Sequence, residues 1–291
     1  MKSGKHEFAF LIVLVVLSSC TSLQFLNKNA MDVELPRYEG KITPISLPIK
    51  AEYKSSSVRF RSSTITLEKG KKTEVSTGGE YEVSEVGELL LWELKIVEMK
   101  IGAQKISPRL PIVHGRLLTE KSGETIKIEL SYPASGIQSG EEPKRGTNEY
   151  NSLVAGWPYS FYTVLPNEPV KTGDILFSVP IRECIPVNLM DWLSGLTTFE
   201  PIGRNTGETL RWKTTLQGWS HYNEKRVLVG KISERTGLRL KDASGFLSAA
   251  IDGYTLIDAE TFQPMKGETF LSISWGGEAW MIQGSFSAEI T

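Results

Sequence analysis

Ile282-Gln283-Gly284-Ser285-Phe286-Ser287-Ala288-Glu289-Ile290 is the stretch of sequence that decides the fold class. Its apolar and small residues occupy every second position, and polar residues lie between them. Successive side chains of a β-strand point to opposite faces of a sheet, so this period of two predicts a half-buried strand. The face that carries Ile282, Phe286 and Ile290 is therefore expected to meet a core.

Glycine-containing groups punctuate the chain on both sides of such segments. We expect each group to be a hairpin tip, because glycine readily adopts the positive φ that tight turns require. The expected tips are Lys69-Gly70, Gly78-Gly79, Ser122-Gly123-Glu124, Thr172-Gly173-Asp174, Thr206-Gly207-Glu208, Thr236-Gly237, Ser244-Gly245, Lys266-Gly267-Glu268 and Gly276-Gly277-Glu278. A clear hairpin joins residues 116–120 to residues 125–130 around Ser122-Gly123.

Residues 89–101 are compatible with two structures. Leu90, Leu94, Val97 and Ile101 have the spacing of one helix face, and the composition of the segment also suits a helix. A strand requires a bulge at Ile96-Val97 to keep the charged residues outward. The flanking glycines and the strands predicted on both sides favour the strand.

The predicted fold class is mainly β, with an antiparallel curved sheet, sandwich or half-barrel in one or two lobes and one short helix. The helix is expected at residues 187–196, because Pro186 precedes it and Asn188 can cap it. The polar residues 134–149 form either a linker or a long surface loop. We take them as the boundary between an N-terminal β lobe, 39–148, and a C-terminal β lobe, 149–291.

The first twenty residues have the layout of an export signal. Lys2 and Lys5 precede the apolar run 8–17, and two serines separate that run from Cys20. At ~1.5 Å per residue a helical run of this length reaches about 15 Å, half of a bilayer's ~30 Å apolar core. The run is therefore too short for a transmembrane helix. An ordinary cleaved signal with an incidental cysteine is the remaining alternative.

Leu17-Ser18-Ser19-Cys20 resembles the lipobox of bacterial lipoproteins. The resemblance implies cleavage between Ser19 and Cys20, a diacylglycerol on the Cys20 thiol and acylation of the new amino end. Residues 1–19 are then the signal peptide and residues 20–38 a tether. The expected location is the bacterial cell envelope, with the membrane as a partner through the lipid anchor. Thr21 stands where some lipoproteins retained at the inner membrane carry Asp, which favours the outer membrane.

A second resemblance covers about nine residues of the body. Pro166-Asn167-Glu168-Pro169-Val170-Lys171-Thr172-Gly173-Asp174 is similar to a hairpin of some uncharacterised β-rich envelope lipoproteins. Leu176 stands where those proteins usually have Trp. This similarity implies a β-rich envelope protein and carries no catalytic assignment.

Charge and cysteine content restrict the class of function. The chain has 33 Lys and Arg against 34 Asp and Glu, and removing the signal leaves 31 against 33. Such a balance gives no general attraction to nucleic acid, so no nucleic-acid partner is expected. Cys184 is the only cysteine after Cys20, so acylation of Cys20 excludes an intramolecular disulfide.

The sequence contains no recognisable catalytic or metal-binding motif. His114 and His221 are its only histidines after the signal, too far apart for a zinc motif. Gly218-Trp219-Ser220-His221-Tyr222 lacks the closing glycine of a nucleophile elbow. We therefore expect no metal, no cofactor and no catalytic residues of these classes. A pair of acids that converges in space remains possible, as glycoside hydrolysis requires.

Aromatic residues are the remaining candidates for a binding site. Trp157, Tyr159 and Phe161 alternate on one face of a predicted strand, while Met190 and Trp192 lie on the predicted helix. They form either ordinary core, a cavity for an apolar ligand, or a surface for an envelope protein partner. The expected function is a non-enzymatic binding or scaffolding role in the envelope. The alternatives are a carrier or sensor of an apolar ligand and a wall or glycan hydrolase that uses Asp or Glu.

Overall fold

Antiparallel strands form the body of the protein. The structure is a computed structural model. It describes residues 35–68, 71–101, 104–106, 113–132, 137–138, 164–180, 199–201, 211–240, 246–275 and 278–291. The strands are β1 Ser56–Glu68, β2 Lys71–Val86, β3 Leu89–Ile101, β4 Gln104–Ile106, β5 Val113–Thr119, β6 Thr125–Tyr132, β7 Ile137–Gln138, β8 Ile175–Pro180, β9 Phe199–Pro201, β10 Arg211–Tyr222, β11 Lys225–Leu240, β12 Phe246–Asp258, β13 Pro264–Trp275 and β14 Glu278–Ile290.

All of these strands belong to one 14-stranded sheet with the order β7-β6-β5-β3-β2-β1-β14-β13-β12-β11-β10-β8. The short strands β4 and β9 pair with β3 and β11 beside this path. Two runs of neighbouring strands meet where β1 pairs antiparallel with β14, from Val58 opposite Ile290 to Glu68 opposite Trp280. This pairing joins segments more than two hundred residues apart in sequence. The mainly β, antiparallel prediction is confirmed.

Two finer expectations lie outside the described residues. The short helix was expected at 187–196, and residues 181–198 are not described. The described ranges themselves contain no helix, and none therefore qualifies by length and apolarity to span a bilayer. The boundary at 134–149 falls almost entirely on residues that are not described, so the division into two lobes stays a prediction.

The strands that the alternation predicted are confirmed. In β14 the residues Ile282, Phe286 and Ile290 are buried, and the polar residues between them are half-buried or exposed. Residues 89–101 form β3 and not a helix. Gly79 pairs with Ile96 and Gly78 with Glu98, which leaves Val97 as the extra residue of a bulge. Val97 is 47% exposed, so the bulge turns it away from the core.

The expected hairpin tips are partly wrong. Ser122-Gly123 and Thr172-Gly173 do lie in turns, where both glycines have positive φ. Gly78-Gly79, Thr236-Gly237 and Lys266-Gly267-Glu268 instead lie inside β2, β11 and β13. The turn between β2 and β3 contains Gly87, and the turn between β10 and β11 contains Asn223 and Glu224. All three residues have positive φ. Glycine inside a strand often marks a bulge or a close approach, and Gly78-Gly79 lies at the β2–β3 bulge.

Aromatic residues fill the core on one face of the sheet. Phe60 contacts Tyr81 and Phe286, with ring centroids 6.1 and 6.3 Å apart. Trp92 packs against Tyr53 and Tyr81 at 5.1 and 5.8 Å. Trp92 Nε1 donates a hydrogen bond to Thr119 Oγ1 (3.0 Å). The face of β1, β2 and β14 that carries Phe60, Tyr81 and Phe286 is called the core face below.

Residues 36–55 form an irregular segment that is bonded to several parts of the sheet. Backbone hydrogen bonds join Thr43 to Trp219 and Ile49 to Val170, and the Tyr53 amide donates to the Lys121 carbonyl. Ile45, Ala51 and Tyr53 are buried within the hydrophobic core. This N-terminal segment therefore completes the core beside strands distant from it in sequence.

Candidate functional site: a groove with a row of serines

A polar groove of about 600 Å³ lies across β3, β2, β1, β14 and β13. Hydroxyl and charged side chains dominate its lining, and Phe286 is the one aromatic residue among them. The lining residues are Arg61, Ser62, Ser63, Glu74, Ser76, Thr77, Gly78, Glu98, Lys266, Glu268, Ser285, Phe286 and Ser287. Most of them belong to the face opposite the core face, which is called the groove face below.

Strand register places three serines side by side on the groove face. Ser63 of β1 is directly opposite Ser76 of β2 on one side and Ser285 of β14 on the other. Ser285 is in turn opposite Glu268 of β13. Side chains in direct register on one face lie next to each other, so these residues form a continuous row across four strands. We call Ser76, Ser63 and Ser285 the serine row.

The hydroxyls of the serine row are available to a ligand. Within the described residues, no hydrogen bond engages the side chains of Ser63, Ser76 or Ser285, and all three are half-buried or exposed. On the core face, by contrast, the hydroxyls of Ser62 and Thr77 bond to each other at 2.5 Å. A serine hydroxyl can both donate and accept, so the row presents adjustable hydrogen-bonding groups.

A second row of residues lies two positions from the serine row along each strand, and it includes charged side chains. Arg61 is opposite Gly78 of β2 and Ser287 of β14. Gly78 is opposite Glu98 of β3, and Ser287 is opposite Lys266 of β13. Small residues thus separate each charged side chain from the next. The row leaves space beside the Arg61 guanidinium and places acidic and basic groups at different points of the groove.

Gly78 is the residue that keeps this space open. A Cβ at position 78 would lie 3.6 Å from Glu98 Cβ and 3.9 Å from Glu98 Oε2, which are ordinary contacts. A Cβ at the neighbouring Gly79 would collide with the Lys95 carbonyl oxygen and lie 2.8 Å from a Phe60 ring carbon. Gly79 is therefore required by packing, whereas Gly78 is not, and the absence of a side chain at Gly78 widens the groove.

A hydrogen-bonded cluster closes the β13 end of the groove. Glu268 accepts a hydrogen bond from the Tyr254 hydroxyl (2.8 Å) and pairs with Lys266 Nζ at 3.2 Å. Burial, followed by the hydrogen bond to Glu268, raises the pKa of Tyr254 to about 12. Partial burial works against the charge on Lys266, but hydrogen bonds to Tyr254 and Glu268 raise its pKa above the ordinary value. Both groups are therefore protonated at neutral pH, and both contact Oε1 of Glu268.

The N-terminal segment contacts this cluster. The ring of Tyr38 lies 5.8 Å from the ring of Tyr254. The Tyr38 hydroxyl bonds with Ser220 Oγ at 2.7 Å, and Ser220 Oγ donates to the Lys41 carbonyl at 2.8 Å. Ser220 is thus a buried structural residue, while the neighbouring His221 is exposed. The two do not form a nucleophile and base.

The site residues expected from the sequence lie outside the described residues. They are Ser19, Cys20, Trp157, Tyr159, Phe161, Met190 and Trp192, and nothing in the structure tests them. The sequence does not predict the groove, because Lys266-Gly267-Glu268 and Gly78-Gly79 have the pattern of hairpin tips. A signal was present in the alternating polar residues of β14, but their neighbours come from distant segments. Among the described residues no group of His, Cys, Asp or Glu could hold a metal ion.

Sequence comparison assigns the chain to no family. No protein-family model matches the sequence, and no curated protein is significantly similar to it.

Proposed function

We propose that the protein is a membrane-anchored lipoprotein of the bacterial envelope that binds a hydroxyl-rich polymer, a glycan, in the groove without chemical conversion. The serine row is the observation that supports this proposal. Three hydroxyls in direct register, beside charged groups, match a ligand that offers many hydroxyls at short intervals. Each such contact replaces water, so affinity depends on several of them acting together.

The anchor part of the proposal rests on Leu17-Ser18-Ser19-Cys20. A Cys20→Ala variant is expected to lose labelling by fatty acid and to leave the membrane fraction or remain uncleaved. A lipid chain contributes about 0.8 kcal/mol per buried CH₂, so two or more chains hold a protein firmly. Acyl labelling that persists in Cys20→Ala would overturn the anchor without affecting the groove. The proposed location in the outer membrane rests on Thr21, the residue after Cys20. Separating the inner and outer membranes by fractionation tests it.

Binding is tested with the detergent-solubilised full chain and a panel of soluble glycans. We expect Gly78→Val to reduce binding strongly, since its side chain fills the groove where a Cβ makes only ordinary contacts. The matched control is Arg59→Gln, an exposed residue on the same face of β1 that does not line the groove. Binding that Gly78→Val leaves unchanged in a folded protein would show that the groove is not the site.

A glycan hydrolase is the second candidate, favoured by the three glutamates on the groove wall. Glu74, Glu98 and Glu268 line it, although Glu268 already pairs with Lys266 and Tyr254. Product formation from a bound glycan that disappears in Glu98→Gln or Glu74→Gln would favour this function. Binding without turnover in the unaltered protein favours the non-enzymatic role.

The apolar-carrier function rests on Trp157, Tyr159, Phe161, Met190 and Trp192, and remains a separate proposal. The groove itself does not favour it, because Phe286 is the one large apolar residue in its lining. Native mass spectrometry of the purified chain is the appropriate measurement. Co-purifying lipid would support a carrier, and a lipid-free protein that binds glycans would exclude that role for the groove.

A further inference from the structure

We propose that the glycan bound in the groove is acidic, and that Arg61 holds its carboxylate or phosphate group while the serine row binds its hydroxyls. This inference rests on the proposed function, and it names the ligand class. The inference depends on the position of the Arg61 side chain, which is exposed and has two uncharged residues opposite it on the neighbouring strands. The serine row lies two residues away along the same strands.

Two arginines on the same face of β1 show why Arg61 is available. Arg59 lies between two acids in register, Glu80 of β2 and Glu289 of β14. Opposite charges that face each other across strands attract, so the charge of Arg59 is balanced within the sheet. Arg61, two residues further along, has Gly78 and Ser287 at the corresponding positions. No ion pair joins Arg61 to another residue in the described part of the chain.

The surroundings of Arg61 suit an anion better than a neutral group. A guanidinium offers five N–H donors in a fixed fork that matches the oxygens of carboxylate or phosphate. Ser287 lies directly opposite, and Ser285 and Ser76 lie diagonally across the adjacent strands, so hydroxyl donors are present on both sides. Charge-assisted hydrogen bonds of this kind are about twice as strong as neutral ones.

The acidic wall of the groove fixes where the anion binds. Glu98 and Glu74 lie on the β3 and β2 side of Arg61. On the β13 side Lys266 pairs with Glu268, and the charges of these two residues balance each other. An anionic group is therefore repelled from the first side and directed toward Arg61 and Ser287. Glu74 can accept hydrogen bonds from uncharged sugar hydroxyls. At ~4.8 Å between neighbouring strands, the row from Ser76 to Glu268 is about 14 Å long, which suits a short oligosaccharide.

The test compares probes of equal length that differ in charge, using the full chain in detergent. The probes are an oligogalacturonate, a phosphodiester-linked sugar polymer, a neutral cello-oligosaccharide, a chitosan oligomer and polyglutamate. We expect the carboxylate or the phosphate polymer to bind best, and whichever binds better identifies the acidic group. Added salt should weaken this binding, since charges at an exposed site are screened.

Variants then assign the contact. Arg61→Gln should weaken binding of the acidic glycan about tenfold or more, as expected for losing hydrogen bonds to a charged group. Arg61→Lys should recover part of the affinity, because it restores charge without the bidentate fork. Arg59→Gln, the matched control, should bind as the unaltered protein does.

The outcomes separate the two proposals. A neutral glycan bound as tightly as the acidic ones, with no loss in Arg61→Gln, overturns the acidic ligand and leaves glycan binding intact. Preference for the chitosan oligomer or for polyglutamate also overturns the inference, pointing to an amine-bearing glycan or an acidic peptide. Failure to bind any glycan contradicts both proposals together.

Discussion

The two faces of β2, β1 and β14 have opposite chemistry on the same three strands. The core face carries Tyr81, Phe60 and Phe286, and the Phe60 ring contacts the other two rings. The groove face carries Ser76, Ser63 and Ser285, which are small and bonded to no described side chain. Under the proposed function, the core face mainly provides stability and the groove face mainly provides binding. Substitutions on one face are therefore expected to spare the property carried by the other.

The largest expected effect is on the core face. Phe60→Ala should lower the free energy of unfolding by about 3–5 kcal/mol, because it removes a ring that is almost completely buried between Tyr81 and Phe286. Urea denaturation followed by circular dichroism measures this. Glycan binding should persist in the fraction that remains folded. A loss below about 1 kcal/mol would mean that the two faces are not divided as described.

The two adjacent glycines of β2 give a sharper comparison. Gly79→Ala should destabilise by roughly 1–3 kcal/mol, since the new methyl group meets the Lys95 carbonyl and the Phe60 ring. Gly78→Ala should be neutral or stabilising by up to about 1 kcal/mol, because its Cβ fits and the unfolded chain loses freedom. Equal destabilisation by both would contradict the assignment of Gly78 to the groove and Gly79 to the core. Thermal or urea unfolding of the two variants and of the unaltered protein measures these differences in stability.

The sequence predicted the core face much better than the groove face. Alternation in residues 282–290 indicated which side is buried because burial depends on each residue's own chemistry. The same polar residues looked like ordinary solvent-facing positions. Their meaning depends on register between β1 and β14, which begin more than two hundred residues apart and are joined by backbone hydrogen bonds that any residues can make. Local sequence carries no record of that register.

The wrong prediction of hairpin tips at Gly78 and Gly267 has a related cause. Gly267 lies between two charged residues, and Gly78 is followed by a second glycine; local rules assign both patterns to turns. In the structure both are strand residues, because neighbouring strands on each side supply the hydrogen bonds and tertiary context overrides local preference. The bulge at Val97 was predictable, because the apolar pattern of β3 loses its alternation inside a single segment.

A smaller effect is expected at the β13 end of the groove, where Tyr254 combines burial with a polar contact. Tyr254→Phe should cost about 0.5–1.5 kcal/mol for the lost hydrogen bond to Glu268. The pKa of this tyrosine is raised to about 12, so the folded state holds its proton more tightly than the unfolded state. The resulting stability is complete below pH ~10 and is lost as pH rises toward 12.

The measurement is a spectrophotometric titration of tyrosinate together with unfolding at several alkaline pH values. The unaltered chain should show one more late-titrating tyrosine than Tyr254→Phe does. The variant should also lose less stability between pH ~10 and 12. A late titration that is identical in both proteins would show that another tyrosine accounts for it.

The smallest effect on stability, and the sharpest test of the comparison, is expected in the middle of the serine row. Ser63→Ala removes one hydroxyl that is bonded to no described protein group, so the free energy of unfolding should change by no more than about 0.5 kcal/mol. Glycan binding should nevertheless weaken, because Ser63 lies between Ser76 and Ser285 and its loss interrupts the row. Ser57→Ala, at an exposed position of the same face near the start of β1, is the matched control and should change neither property. Isothermal titration with the best-binding glycan and urea unfolding of both variants give the result. A Ser63→Ala protein that is clearly less stable, with unchanged binding, would assign the serine row to folding instead of recognition.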